Sequence, residues 1–163
     1  MDGAVLNINS TTYNLNLAAL STSLYGSVLP YTILNVNAPI YGTNGANGVV
    51  TKVLFSYDYQ ISSYPTSGTS AINLSGFSGK TVKINNNSII QGGNGGNGVS
   101  GGTNNIIGTA ISCYAYNFYG ATGGSAIINS GGVTLSINGN SVINGNNGFN
   151  GIYYANCQDG NSG

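Results

Sequence analysis

Few side chains in this 163-residue chain can do covalent or acid–base chemistry. The ionisable ones are Lys52, Lys80, Lys83, Asp2, Asp58 and Asp159; there is no His, Glu, Arg or Trp. Acid–base work would fall on these six and the tyrosines. A carboxylate pair for glycoside cleavage would need two aspartates to converge. Asp2 and Asp159 stand near the two ends, and Asp58 is alone in an aromatic segment. No Cys/His spacing fits zinc, and three aspartates do not build a calcium loop. The glycine runs lack the Lys-Ser/Thr ending and the following helix of a phosphate cradle. No catalytic residue, cofactor or metal is expected, and the chain reads as a non-enzyme.

What could recognise a partner is aromatic. Tyr57, Tyr59 and Tyr64 form one cluster, Tyr114, Tyr116, Phe118 and Tyr119 a second, and Tyr153 with Tyr154 a third. Tyrosine combines a large apolar face with a polar tip at modest entropic cost. Val53, Phe55, Tyr57 and Tyr59 alternate, as do Tyr114 and Tyr116 against Cys113 and Ala115, so strands with one aromatic face are expected. These segments are candidates for recognition; the alternative is that the rings cover the stack or pack a subunit interface. Cys113 and Cys157 could be bonded, free or buried, and the free, buried state is expected without a secretion signal.

The elements that would position these clusters repeat. The segment TVKINNNSIIQGGNGGNG (81–98) has a later copy, TLSINGNSVINGNNGFNG (134–151), and an earlier one, TILNVNAPIYGTNGANG (32–48). Each runs strand, Asn-rich turn, short strand, then glycine at every third position: Gly42, Gly45, Gly48; Gly92, Gly95, Gly98; Gly145, Gly148, Gly151. Asn138–Gly139–Asn140 is a hairpin or tight-turn signal. A further strand precedes each later copy, at 70–74 and 125–129. Glycine at i, i+3, i+6 matches the three-residue turn of a polyproline-II-type helix, which has no internal hydrogen bonds. Its backbone must therefore pair with neighbouring strands or with other such helices. Seven residues at about 3.1 Å each cover about 20 Å, the length of a six-residue strand. Each run could thus lie beside the strands of its own repeat.

Helix is disfavoured throughout, with at most a helical turn near Leu15–Leu20. The expected fold is all-β: short strands stacked as a solenoid- or sandwich-like array with polyglycine-II-type runs. It forms a single domain over 1–163, with repeats near 19–50, 69–102 and 124–155 and insertions at 53–65 and 106–119.

Neutrality limits the partners. With net charge zero and no basic patch, nucleic acid is not expected. No apolar stretch has the length of a membrane span, and the N-terminus lacks the basic and apolar regions of a secretory signal. The Asn-x-Ser/Thr matches at Asn9, Asn73 and Asn86 are expected by chance in so Asn-rich a chain.

The motif at 82–98 resembles the strand, Asn-rich turn, strand, glycine-run repeats of bacteriophage tail proteins and the glycine-rich tail-tip adhesins of T-even-like phages. The resemblance covers roughly residues 32–155. It implies polyglycine-II-type helices packed as a platform, with intervening loops that bind a host receptor. The runs here are shorter, Asn-substituted and flanked by strands, which favours a mixed β and polyglycine stack. The expected function is a virion structural protein, a tail-fibre or adhesin-type homo-oligomer that binds a host surface protein or glycan. A large-DNA-virus surface protein also fits the Asn, Ile and Tyr usage. A purely structural subunit of a filament, fibril or capsid decoration is the alternative, and an ice-binding protein a third.

Overall fold

A computed structural model describes residues 3–52, 59–98, 119–129 and 131–150, with residues 50–52 and 59–62 described by backbone alone. The chain is mostly β with one helix. Its strands are β1 (Gly3–Ile8), β2 (Thr12–Tyr13), β3 (Leu15–Asn16), β4 (Tyr31–Val36), β5 (Ile40–Tyr41), β6 (Val49–Lys52) and β7 (Tyr59–Ser63). They continue with β8 (Ile72–Asn73), β9 (Thr81–Asn86), β10 (Ile90–Gln91), β11 (Ile127–Ile128), β12 (Thr134–Gly139) and β13 (Val142–Ile143). The helix α1 spans Leu17–Tyr25.

Three sheets are parallel. Their orders are β1-β4-β9-β12, β13-β10-β5-β2 and β11-β8-β3; β6 and β7 form an antiparallel pair. Each strand of the three parallel sheets therefore pairs with its counterpart in the neighbouring copy and not with the next strand of its own. Of the hairpin or tight turn expected at Asn138–Gly139–Asn140, the tight turn is what forms: Gly139, at φ 100°, turns the chain from one sheet to the next.

Alternation explains the first sheet. Ala4, Leu6 and Ile8 of β1, Thr32, Leu34 and Val36 of β4, and Val82, Ile84 and Asn86 of β9 are buried. The in-register pairing stacks Leu6 on Leu34 and Leu34 on Ile84. Ile40, Ile90, Leu15, Ile72, Leu74 and Phe77 join the same core from the other two sheets and their turns. On the outer side, Asn35 Nδ2 donates to Asn7 Oδ1 and Asn85 Nδ2 to Asn35 Oδ1, each at 2.9 Å. One neutral amide ladder thus replaces the charged exterior that most sheets carry.

The sheet β1-β4-β9-β12 has one strand more than there are glycine-run motifs, because β1 lies before the first of them and is followed by no run. The helix is longer than the turn expected. Asn16 caps it, with Oδ1 accepting from the Ala19 N–H at 3.0 Å, and Gly26 ends it in the left-handed conformation at φ 76°. Burial of Leu17 and Ser21 then outweighs weak propensity. The Tyr25 hydroxyl donates to the Val5 carbonyl at 3.0 Å and accepts from the Val5 N–H at 3.1 Å. That occupies both polar groups of Val5 and blunts the β1 edge.

Thr32 sits on the inner face, and its Oγ1 is buried with no hydrogen-bond partner. Removing an unpartnered buried hydroxyl at nearly constant volume recovers its desolvation cost. Thr32→Val is therefore expected to stabilise the fold by about 1 kcal/mol in urea unfolding. A destabilised variant would show that the hydroxyl is satisfied.

Candidate functional site

The second and third sheets are joined in two ways. In the N-terminal copy Asn14 alone links β2 to β3, with φ at 51°. In the next copy the link between β5 and β8 takes residues 42–71. The chain leaves the corner as a glycine run, passes through β6 and β7, and returns as residues 64–71. The copy after it leaves along 92–98 and returns along 119–126.

The hydrogen bonds show what the glycines do. Gly42, Gly45 and Gly48 donate to the carbonyls of Gln91, Asn94 and Asn97 at 2.8, 2.7 and 2.9 Å. Gly92, Gly95 and Gly98 donate to Ile143, Asn146 and Phe149 at 2.9, 2.8 and 2.9 Å. Outgoing runs are therefore bonded to one another, and not to strands of their own repeat as their matched lengths suggested. Gly93 and Gly96 donate to the returning Thr69 and Thr66, both at 2.9 Å. The remaining amides of the central run are met by side chains: Asn94 and Asn97 donate their N–H to Asn44 and Asn47 Oδ1, both at 2.8 Å. All seven N–H groups of residues 92–98 have a partner, as backbone buried away from water must.

This accounting explains the composition of each run. The central run has neighbours on both sides and across, so two of its three positions per turn are glycine. A Cβ on Gly93 or Gly96 would overlap the carbonyl of Thr43 or Ala46, and one on Gly92 or Gly95 that of Gly124 or Ala121. The first run is flanked on one side only, which leaves room for Thr43 and Ala46. The third run is shifted by one residue relative to its sequence alignment. Because Gln91 pairs with Ile143, Gly145 and Gly148 stand level with Gly93 and Gly96. Asn144, Asn147 and Asn150 occupy its open side, and their Oδ1 atoms accept from Ala126, Gly123 and Gly120 at 2.8, 3.0 and 2.9 Å. Gly151 lies outside the described residues.

Among the aromatic candidates, Tyr57, Tyr114, Tyr116, Phe118, Tyr153 and Tyr154 lie outside the described residues, as do all three aspartates and both cysteines. Tyr59 opens β7. Tyr64 and Tyr119 stand at matching positions of the two returning segments. The offset that pairs Ile72 with Ile127 carries along the returning segments, where Thr66 and Ala121 both bond to Gly96. It places Tyr64 level with Tyr119. Their rings are 60% and 73% exposed, and Phe149, at the same far end of the runs, is 81% exposed.

Two features were not read from the sequence. The run asparagines are structural acceptors, a role signalled by their fixed place two residues after a glycine. Tyr13 and Tyr41 form a pair, with ring centroids 5.9 Å apart; both follow a turn, but only the parallel register brings them together. No helix among the described residues is long and apolar enough to cross a membrane.

Comparison with protein-family models, with curated proteins and with solved structures returned no match to this chain.

Positions 46 and 96 are level with each other but differ in crowding. Gly96→Ala is expected to destabilise by about 3 kcal/mol or more, the range of a strained, overpacked site. Ala46→Gly should lose about 1 kcal/mol or less. Equal effects in thermal unfolding would contradict the close approach of the runs.

Proposed function

We propose that this chain is a viral structural protein of the tail-fibre or adhesin type, without enzymatic activity, acting at the surface of a virion. In this reading the parallel copies form a β-solenoid that continues into a polyglycine-II-type bundle. The bundle holds its far end stiffly away from the strands and presents aromatic side chains there to a host protein or glycan. The observation that supports the reading is the exposure of Tyr64 and Tyr119 at matching positions of the two returning segments. Solvated aromatic rings on a rigid support lose little conformational entropy on binding, which suits them to recognition.

A neutral surface also suits packing against other virion subunits or copies of the same chain, where net repulsion would oppose assembly. A purely structural role is the second reading. It is favoured by the exposed apolar side chains of Ile137 on β12 and Ile143 on β13, the last strands of their parallel sheets. A further subunit would stack on that open end.

Particles carrying Tyr64→Ser and Tyr119→Ser together separate the two. Host adsorption is expected to fall by about ten-fold or more, the scale of losing one aromatic hot spot, with normal particles in electron micrographs. Normal adsorption would overturn the recognition role, and failed assembly would favour the structural one.

A further inference from the structure

A second concave site lies on the outer face, at the opposite end of the runs from the aromatic tip. It is an open hollow of about 480 Å³ where β5 and β10 pass into the first two glycine runs. That volume is within the usual range for small-ligand sites, about 300–1,000 Å³. One wall is the Tyr13–Tyr41 pair, whose planes are tilted by 38°. Tyr13 is 62% exposed. The other wall carries Asn44 and Asn94, with Gln91 between the walls and the glycine backbone at Gly42 and Gly92 as floor.

The two asparagines are oriented before any ligand arrives. Asn44 Oδ1 accepts the Asn94 N–H, and Asn94 Oδ1 accepts the Asn146 N–H, both at 2.8 Å. Those bonds require the oxygen of each amide to face the neighbouring run. The NH₂ groups then remain as donors, without a partner among the described residues. Parallel strands lie about 4.8 Å apart, and adjacent runs continue adjacent strands, so the two donors form a short fixed ladder beside the rings.

The lining selects the class of ligand. It contains no charged residue, so a phosphate or uronate would find no counter-charge. It contains no aliphatic side chain beyond the two rings, so a lipid tail or hydrophobic peptide would find little to bury against. A molecule with an apolar C–H face and a rim of hydroxyls meets both walls at once. We propose that this hollow binds a short neutral oligosaccharide, with a sugar ring stacked on Tyr13 and Tyr41 and its hydroxyls accepting from Asn44 and Asn94 Nδ2. The site is separate from the aromatic tip and does not depend on the virion reading.

The test is an NMR titration of the purified protein with cellohexaose, maltohexaose and chitohexaose, and with hexagalacturonate as an acidic probe. At least one neutral hexasaccharide should bind in the millimolar range or tighter and shift the Asn44 and Asn94 side-chain amide signals. Tyr13→Ala with Tyr41→Ala should weaken it about ten-fold or more. Asn44→Asp with Asn94→Asp keeps the acceptor oxygens that hold the runs but removes the donors, and should weaken it similarly at an unchanged melting temperature. The Tyr64→Ser and Tyr119→Ser variant should bind as the wild type does, which keeps this site distinct from the tip. Failure of all three neutral sugars to bind, preference for the acidic one, or full affinity in the Tyr13/Tyr41 variant would overturn the assignment.

Discussion

A backbone segment that forms neither helix nor sheet must still find a partner for every buried N–H, and the glycine runs meet that demand from three directions. In the central run one amide per turn is taken by the next copy's carbonyl, one by a returning segment, and one by an asparagine oxygen. Glycine is required wherever a neighbour's carbonyl occupies the space of a Cβ. Asparagine is required where the neighbour's amide would otherwise face water alone. The Gly-Gly-Asn triplet of residues 92–97 states the three requirements in order.

The same constraint shapes the N-terminal copy, which has no run. Asn14 closes the corner in one residue and turns its side chain on the first run. Its Oδ1 accepts from the Thr43 N–H at 3.0 Å and from the Thr69 hydroxyl, and its Nδ2 donates to Thr43 Oγ1 at 2.7 Å. Few residues other than glycine accept left-handed backbone, and asparagine is the one that also brings both a donor and an acceptor. Tyr25 treats the strand edge in the same way.

Much of the scaffold was legible in the sequence. Alternation located β4, β9 and β12, and the fixed glycine spacing located the runs. The parallel partner of each strand was not legible, because short strands and Asn-Gly turns read alike in a hairpin and at a corner between sheets. The helix was missed because its nine residues carry no charged helix formers; Asn16 and Gly26 are local cap signals, but the burial of Leu17 comes from tertiary context. The one-residue shift of the third run was hidden by glycine itself, since the positions free of crowding there are the ones aligned with Gly92 and Gly95. Of the candidate site, Tyr64 and Tyr119 were named for their composition. Their alignment depends on two returning segments in register, which no local pattern announces. Tyr13 and Tyr41, twenty-eight residues apart like their paired strands, are adjacent for the same reason.

The hydrogen-bonded state of the central run is open to direct measurement by amide hydrogen exchange. Gly93, Gly95 and Gly96 donate to Thr69, Asn146 and Thr66. Their amides should exchange as slowly as those of Leu34 and Ile84 in the parallel sheet, opening only with global unfolding. Exchange at the rate of an unstructured peptide would contradict a run held by its neighbours and leave residues 92–98 as a flexible linker.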